Sequence, residues 1–458
     1  MQSNMTTSTK SNKIIELDID IDIDTDDQYN NSSTGVGVFV EQHTTTTMAQ
    51  SKMEESVSEK MVHHKLHPNS KVAVGDKKII KMLTAAIEAI PTSHQSLDSS
   101  KVWISFWVLN GLDMLDSLDT YPAISKRTAD YFSILQNKDG GFGGGNSNTS
   151  HVVSTFASVS TLFAVGTEEA YNIINRETMY RFLMEMKTPE GAFRTEKEGE
   201  VDSRSTYCAI AVASFLNILT DQLVENVAEY LARCQTYEGG FGAYPGNEAH
   251  GGYTFCSVAA LSILNKLDMI DMNSLHRWIT LRQTEEGGFQ GRANKLVDTC
   301  YAYWQGAVYI IIQAYLDIDQ TLKNEDVGGN EQQSNSNHSI EKQLYDQKKL
   351  QEYVLICCQD NKHGGFSDHP GRGKDFYHTC YGLSGVSLSQ HNDIYKTVND
   401  INHHIQQEST PPCTKQSDAF QVDQVGPILE PVHPIYNIRL KKLIKGLKYF
   451  RSLEKINI

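Results

Sequence analysis

Asp298 and Cys300, one residue apart, and His378 in the next repeat of the sequence offer a carboxylate, a thiol and an imidazole. All three are zinc donors, and three protein ligands leave the fourth tetrahedral position open for a substrate, where a closed structural site would need a fourth ligand. Arg292, Lys295 and Tyr301 stand beside the Asp-x-Cys pair, and His250 lies one repeat earlier. A guanidinium fork, an ammonium point charge and phenol and imidazole donors suit a diphosphate leaving group on which negative charge grows. Taken singly, Asp298 is a helix cap, Cys300 a core thiol and each cation a solvated surface charge. Their focus on one place is what a chance charge run lacks.

The elements that must bring them together are written as a repeat. Gln136-Asn-Lys-Asp-Gly-Gly-Phe142, Met186-Lys-Thr-Pro-Glu-Gly-Ala-Phe193, Gln235-Thr-Tyr-Glu-Gly-Gly-Phe241, Gln283-Thr-Glu-Glu-Gly-Gly-Phe289 and Gln359-Asp-Asn-Lys-His-Gly-Gly-Phe366 place their phenylalanines 51, 48, 48 and 77 residues apart. The underlying period is about 48, with a polar insertion at Asn324 lengthening the last interval. Each copy joins an amphipathic helix to a more uniformly apolar one, such as Ser205 to Leu219, Thr254 to Leu264 and Thr299 to Leu316. A helix that is apolar nearly all round must be buried. The fold class predicted is all-α: an α/α toroid of helical hairpins, apolar helices inside and amphipathic ones outside. Arg204 and Tyr207, His250 to Tyr253, Arg292 to Tyr301, and Tyr377 with His378 then fall at the starts of successive inner helices. If those helices run parallel, the groups meet at one mouth, where unpaired N–H groups and positive dipole ends favour anions and thiolates. Trp103, Phe106, Trp107, Tyr207, Tyr253 and Trp304 give the interior an aromatic lining suited to an acyclic allylic chain.

Composition sets the outer limits. A net charge of -15 argues against a nucleic-acid partner, since phosphate-binding surfaces need clustered cations. No run of about 18 apolar residues appears and the polar N-terminus lacks a secretion signal, so no membrane insertion and a cytoplasmic location are expected. Eight cysteines scattered through apolar segments suit reduced core thiols. Residues 1–75 read as a disordered low-complexity tail, followed by one catalytic domain over 76–458 with polar insertions at about 324–341 and 403–424.

The strings Glu248-Ala-His-Gly-Gly-Tyr-Thr-Phe-Cys256, Gly287-Gly-Phe-Gln-Gly-Arg-Ala-Asn-Lys-Leu-Val-Asp298, Asp375-Phe-Tyr-His-Thr-Cys-Tyr381 and Pro434-Ile-Tyr-Asn-Ile438 resemble the protein farnesyltransferase beta-subunit family, and the likeness runs from about Leu97 to Phe450. By that resemblance Asp298, Cys300 and His378 hold zinc, while His250, Arg292, Lys295 and Tyr301 bind diphosphate, Lys295 and Tyr301 acting in catalysis. Arg204, Tyr207, Gly251, Gly252, Tyr253 and Trp304 line the isoprenoid and peptide site, and Trp103, Trp107, His151 and Tyr377 belong to the same substrate-binding set. The implied reaction moves farnesyl from farnesyl diphosphate to the cysteine of a C-terminal Cys-aliphatic-aliphatic-X (CaaX) sequence on proteins such as small GTPases. An obligatory alpha subunit, contributing a further lysine, is implied with it.

The near rival is the geranylgeranyltransferase type I beta-subunit family. A geranylgeranyl chain carries five more carbons, worth up to about 4 kcal/mol of burial, so rejecting it takes a steric block. Farnesyl-selective relatives are similar to this chain in placing a bulky aromatic at Trp103 and, at Asp368, a carboxylate that helps hold magnesium. After His151 the chain departs from the pattern, reading Val152-Val153-Ser154 where similar enzymes have a small residue and a proline facing the X side chain. Triterpene cyclases share the repeats and use an Asp-x-Asp-Asp acid; Asp24-Thr-Asp-Asp27 matches, but in a tract with no pocket to raise an aspartate pKa. A toroidal scaffold without catalysis is the non-enzymatic alternative.

Overall fold

The computed structural model describes residues 44–67, 74–88, 92–326, 344–391, 394–398, 401 and 428–456. In chain order the helices are α1 (Thr45–Leu66), α2 (Asp76–Glu88), α3 (Lys101–Met114), α4 (Pro122–Ser133), α5 (Val152–Val165), the short α6 (Glu168–Asn172), α7 (Arg176–Met186) and α8 (Ser203–Phe215). Then follow α9 (Asp221–Val224), α10 (Val227–Arg233), α11 (Gly251–Ile263), α12 (Met272–Thr280), α13 (Tyr301–Asp326), α14 (Gln347–Glu352, continued by a π-turn Tyr353–Cys358), α15 (Phe376–Gln390) and α16 (Leu440–Ser452). The only sheet among the described residues is the two-residue ribbon β1 (Phe193–Arg194) with β2 (Val201–Asp202). No helix among the described residues is long and apolar enough to cross a membrane.

Six helices, α3, α5, α8, α11, α13 and α15, pack each on the next, and α15 packs back on α3, so the inner ring is closed. Their composition explains their place: every residue of α5 and of α8 is buried, which an amphipathic helix could not tolerate. Outside them, α4, α7 and α12 bury one stripe each.

Each glycine turn is a rivet between neighbouring hairpins. The residue opening the motif pairs with its phenylalanine in a single bridge: Gln136 with Phe142, Lys187 with Phe193, Gln235 with Phe241, Gln283 with Phe289, Gln359 with Phe366. Those phenylalanines are fully buried, and in four copies the N–H donates to a threonine on the following inner helix: Phe142 to Thr155, Phe193 to Thr206, Phe241 to Thr254 and Phe366 to Thr379, at 2.9 to 3.2 Å. A buried backbone donor would otherwise be left unpaired in the barrel wall. Gly239 shows why the turn needs glycine: its φ is +108, and a Cβ there would lie 2.1 Å from the Ser274 carbonyl oxygen at the start of α12. Gly364 meets the Lys78 backbone of α2 in the same way, fastening the last turn to the first hairpin.

The rim is sewn by a second set of bonds. At the start of five of the six inner helices an N–H that has no partner within its own helix donates into the next rim loop: Val102 to Gly144 O, Val152 to Thr195 O, Ser203 to Ala243 O, Gly251 to Gly291 O and, just ahead of α13, Thr299 to Asp368 O, at 2.7 to 3.3 Å. The inner helices therefore do start at one shared mouth. The opposite end is floored by Pro434 to Asn437, whose carbonyls accept from Tyr303 (Pro434 O, 2.8 Å), Tyr207 (Ile435 O, 2.6 Å) and Asn110 (Asn437 O, 2.9 Å).

Two sequence boundaries are corrected. Helix α1 falls inside the stretch read as a disordered tail: Met53 and Val57 are buried, Lys60 Nζ donates to Cys357 O at 2.6 Å and Gln50 to Glu286 at 3.1 Å. Its own composition is polar all round, so only those tertiary contacts hold it, and no periodicity announced it. The insertion expected from Asn324 starts later, because α13 runs on to Asp326. Residues 327–341, the 403–424 insertion and Asp24 to Asp27 lie outside the described residues. All seven cysteines among the described residues are buried free thiols, as the composition suggested.

Replacing Gly239 by alanine forces the left-handed backbone and the Ser274 contact on a side chain. We expect a loss of roughly 2–4 kcal/mol, read as a lowered denaturant midpoint with an unchanged m-value; an unaltered midpoint would contradict the rivet.

Candidate metal centre and active site

In every repeat the residue nine positions after the motif phenylalanine caps an inner helix: His151, Asp202, His250, Asp298 and Asp375. Four caps work through a side chain that accepts a first-turn N–H: His151 from Val153 (3.2 Å), Asp202 from Ser205 (2.7 Å), His250 from Gly252 (3.1 Å) and Asp375 from His378 (2.7 Å). Asp298 accepts in the same manner from Cys300 N at 2.7 Å. Capping fixes each side chain at the start of its helix, and the second oxygens of Asp202 and Asp375 are taken by Arg204 and His378.

Asp298, Cys300 and His378 converge, their ligand atoms all within 4.8 Å of one another. His378 Nδ1 donates to Asp375 Oδ2 at 2.6 Å, which turns Nε2 toward Asp298, 3.3 Å from Oδ1. A carboxylate behind an imidazole is the arrangement that fixes tautomer and ring plane in metal sites. Burial raises the Asp298 carboxyl, yet the His378 hydrogen bond outweighs it and holds it below its usual value. Burial, and then Asp298, push the Cys300 thiol up. Burial disfavours charge on His378, but Asp298 and Asp375 override it and raise its pKa far above the imidazole range. The half-buried Asp298 carboxylate, the buried Cys300 thiol and His378 face one point, and a thiol so placed becomes a thiolate beside a divalent ion. The donor set fits zinc.

The triad stands on the wall of a cavity of about 570 Å³. Trp103, Trp107, Arg204, His250, Gly252, Arg292, Lys295, Tyr301, Trp304, Asp368 and Tyr377 share that wall. His250 is pushed down to about 3 by burial and then by Arg292, so its ring is neutral. Because Nδ1 accepts the Gly252 N–H, the ring proton sits on Nε2 and donates to the Tyr301 hydroxyl at 3.0 Å. Arg292 is held by Glu248 at 2.6 Å. Arg204 is buried, with Glu200 at 2.7 Å and Asp202 at 2.9 Å to balance it. Trp304 Nε1 donates to Tyr377 at 3.2 Å, and Trp103 packs at 5.9 Å from Trp107 and 6.2 Å from Phe156.

Four residues expected at the substrate do not line that cavity. Tyr207 is buried with its hydroxyl spent on Ile435 O, and its ring packs between Phe156 and Phe255. His151 is a cap, pushed down to about 4 by burial and then by Arg204. Gly251 is tied through its N–H to Gly291 O, and Tyr253 lies with its ring 5.6 Å from that of His250. Asp375, Glu248 and Cys256 were not singled out. Asp375 precedes His378 by the three residues of a side-chain cap, the one signal that could have drawn it out. Thr45, Thr46 and Ala49 of α1 also reach the cavity, and nothing in their composition marks them.

Residues 75–438 match the family model of the prenyltransferase alpha-alpha toroid domain. Over 450 residues the sequence is 54% identical to protein farnesyltransferase subunit beta of Dictyostelium discoideum, covering 88% of each chain. The Schizosaccharomyces pombe protein of the same name is 38% identical, with 82% of this chain and 91% of that one aligned. The chain belongs to the protein farnesyltransferase beta-subunit family. It is thus the prenyltransferase that the repeats and the rim residues foretold. A solved structure, Candida albicans protein geranylgeranyltransferase-I complexed with GGPP, superimposes with a TM-score of 0.61 at 21% identity, covering 82% of this chain and 99% of that one, a likeness of fold.

Two substitutions in this farnesyltransferase-family site separate ligand from orienter. Cys300→Ala is expected to abolish stoichiometric zinc binding while circular dichroism stays helical. Asp375→Asn is expected to weaken zinc affinity about 10–100-fold, measured by chelator competition; full affinity in Asp375→Asn would remove it from the site.

Proposed function

We propose that this chain is the catalytic beta subunit of a zinc-dependent protein farnesyltransferase, acting with an alpha subunit in the cytoplasm on proteins that end in a CaaX sequence. The observation that carries the reading is the meeting of Asp298, Cys300 and His378 on the wall of a cavity that also holds His250, Arg292, Lys295 and Tyr301 and is panelled by Trp103, Trp107 and Trp304. A zinc ion held by the triad would supply the Lewis acid that keeps the acceptor cysteine as a thiolate at neutral pH. The protein's own nucleophiles have no part in the transfer.

The rest of the work falls to this chain's donors. As the allylic carbon–oxygen bond breaks, charge grows on the diphosphate. Arg292, Lys295 and the hydroxyl of Tyr301 bind it more strongly late in the reaction than early, which lowers the barrier. His250, neutral and donating through Nε2, increases the donor strength of Tyr301 by hydrogen bonding to its oxygen. Fixed at the rim by their loops and caps, these groups need little reorganisation at the moment of reaction. Asp368, on the same wall, offers a carboxylate for a magnesium ion that accompanies the diphosphate.

The alternative, a geranylgeranyltransferase type I beta subunit, differs in chain length. Trp103 on the cavity wall, backed by Trp107 and Phe156, supports the shorter isoprenoid, and the names of the relatives point the same way. Coexpression with an alpha subunit, followed by assays offering both diphosphates to peptides ending in Met, Ser or Leu, tests the whole reading. Preferential farnesyl transfer to a cysteine is the expected result, and absence of any transfer would return the chain to a scaffold role. Trp103→Thr should admit geranylgeranyl diphosphate, raising its kcat/KM at least tenfold. Unchanged chain-length selectivity would take Trp103 out of the argument.

A further inference from the structure

We propose that Arg372 is a further diphosphate-binding residue, carried on a glycine-flanked arm that moves between Asp368 and the anion. The proposal rests on the diphosphate site described above. Three observations carry it.

The first is the repeat register. Lys295 lies six residues after Phe289, and Arg372 lies six residues after Phe366; three residues further on stand the two caps Asp298 and Asp375. Each cation occupies a rim loop pinched at its base by one bridge, Gln290 with Val297 and Phe366 with Asp375. Arg372 is therefore the counterpart of Lys295 in the adjoining hairpin, and both reach the same cavity wall. A cavity that takes its cations from one loop takes a matching one from the next.

The second is the weakness of its present hold. Arg292 is anchored at 2.6 Å by Glu248, whereas Arg372 Nε stands 3.9 Å from Asp368 Oδ2, with 67% of its side chain exposed. At that separation and exposure the pair gives little binding, so an incoming diphosphate, with more charge and a bidentate fit to the guanidinium, displaces it readily.

The third is the hinge. Gly371 has φ +86 and Gly373 follows Arg372, and a Cβ at either position would meet nothing within 4 Å. Gly371 answers to its left-handed φ, but Gly373 is demanded neither by packing nor by a positive φ, and what it adds to the loop is backbone freedom. Beyond them the chain is tied down again, Lys374 to Asp360 at 3.2 Å and Asp375 to His378. Motion is thus confined to the arm and cannot disturb the metal triad.

The test uses inorganic pyrophosphate titrated calorimetrically into the zinc-loaded heterodimer, comparing wild type with Arg372→Ala, Arg372→Lys and Arg292→Ala, zinc content being measured in each. Arg372→Ala should lower pyrophosphate affinity about tenfold with zinc stoichiometry unchanged, and Arg372→Lys should recover part of the loss. Arg372→Ala in an Asp368→Asn background should show the same loss; its disappearance there means that Arg372 acts only through Asp368, and the proposal fails. Full affinity in Arg372→Ala beside a loss in Arg292→Ala overturns Arg372 alone. Full affinity in both overturns the diphosphate site itself.

Discussion

An α-helix begins with N–H groups that its own backbone cannot satisfy, and a ring of six parallel inner helices gathers all of those groups at one rim. That rim must be polar and yet close to the apolar interior of a barrel. The chain meets the demand with one device: in each repeat a cap nine residues after the buried phenylalanine, and in four of the five an N–H beside the cap tied to the neighbouring loop. Where the cap is Asp202 it also balances Arg204; where it is His250 it hydrogen-bonds Tyr301; where it is Asp298 it joins Cys300 and His378 in the candidate metal triad; where it is Asp375 it orients His378. The site is a capping requirement put to chemical use.

The cost of such a rim is charge near low dielectric, and the pairings show how it is met. Arg204 is sandwiched by two carboxylates and Arg292 by one, while His378 lies between Asp298 and Asp375. Buried charges without partners would cost several kcal/mol each. The paired arrangement brings the Asp298 carboxylate, the Cys300 thiol and His378 to one focus, a donor set that fits a divalent ion. In the proposed reaction, preorganisation of this kind would separate the two halves spatially: anion donors on the α11 and α13 caps and loops, thiol activation between α13 and α15.

Much of this was written in the sequence because the repeat is local. Glycine, phenylalanine and cap recur at fixed spacing, and fixed spacing becomes fixed position once the helices stack. What the sequence hid is what tertiary contact alone decides. Hairpin α2–α3 carries no copy of the motif, since its inner helix is entered through the 3-10 turn Thr92–Ser100 instead, and only the closure of α15 on α3 reveals it as the sixth member. Helix α1 shows no apolar stripe and is held by two buried side chains and two long polar reaches, so composition placed it in the tail. Tyr207 reads like a cavity aromatic, but the floor carbonyl of Ile435 claims its hydroxyl. The role of Asp375 was visible as a cap and invisible as the partner of His378 until both ends of its carboxylate could be followed.

The floor of the barrel has a kinetic implication. Carbonyls of Pro434, Ile435 and Asn437 accept hydrogen bonds from α3, α8 and α13, and the turn at Gly364 leans on α2. The contacts that seal the ring thus join residues between 131 and 327 positions apart, and such long loops close slowly. A chain still being made can stack its early hairpins as an open crescent, apolar inside and unsealed, and the cavity has no floor until residues 434–437 emerge. Until then the exposed lining needs shelter from aggregation.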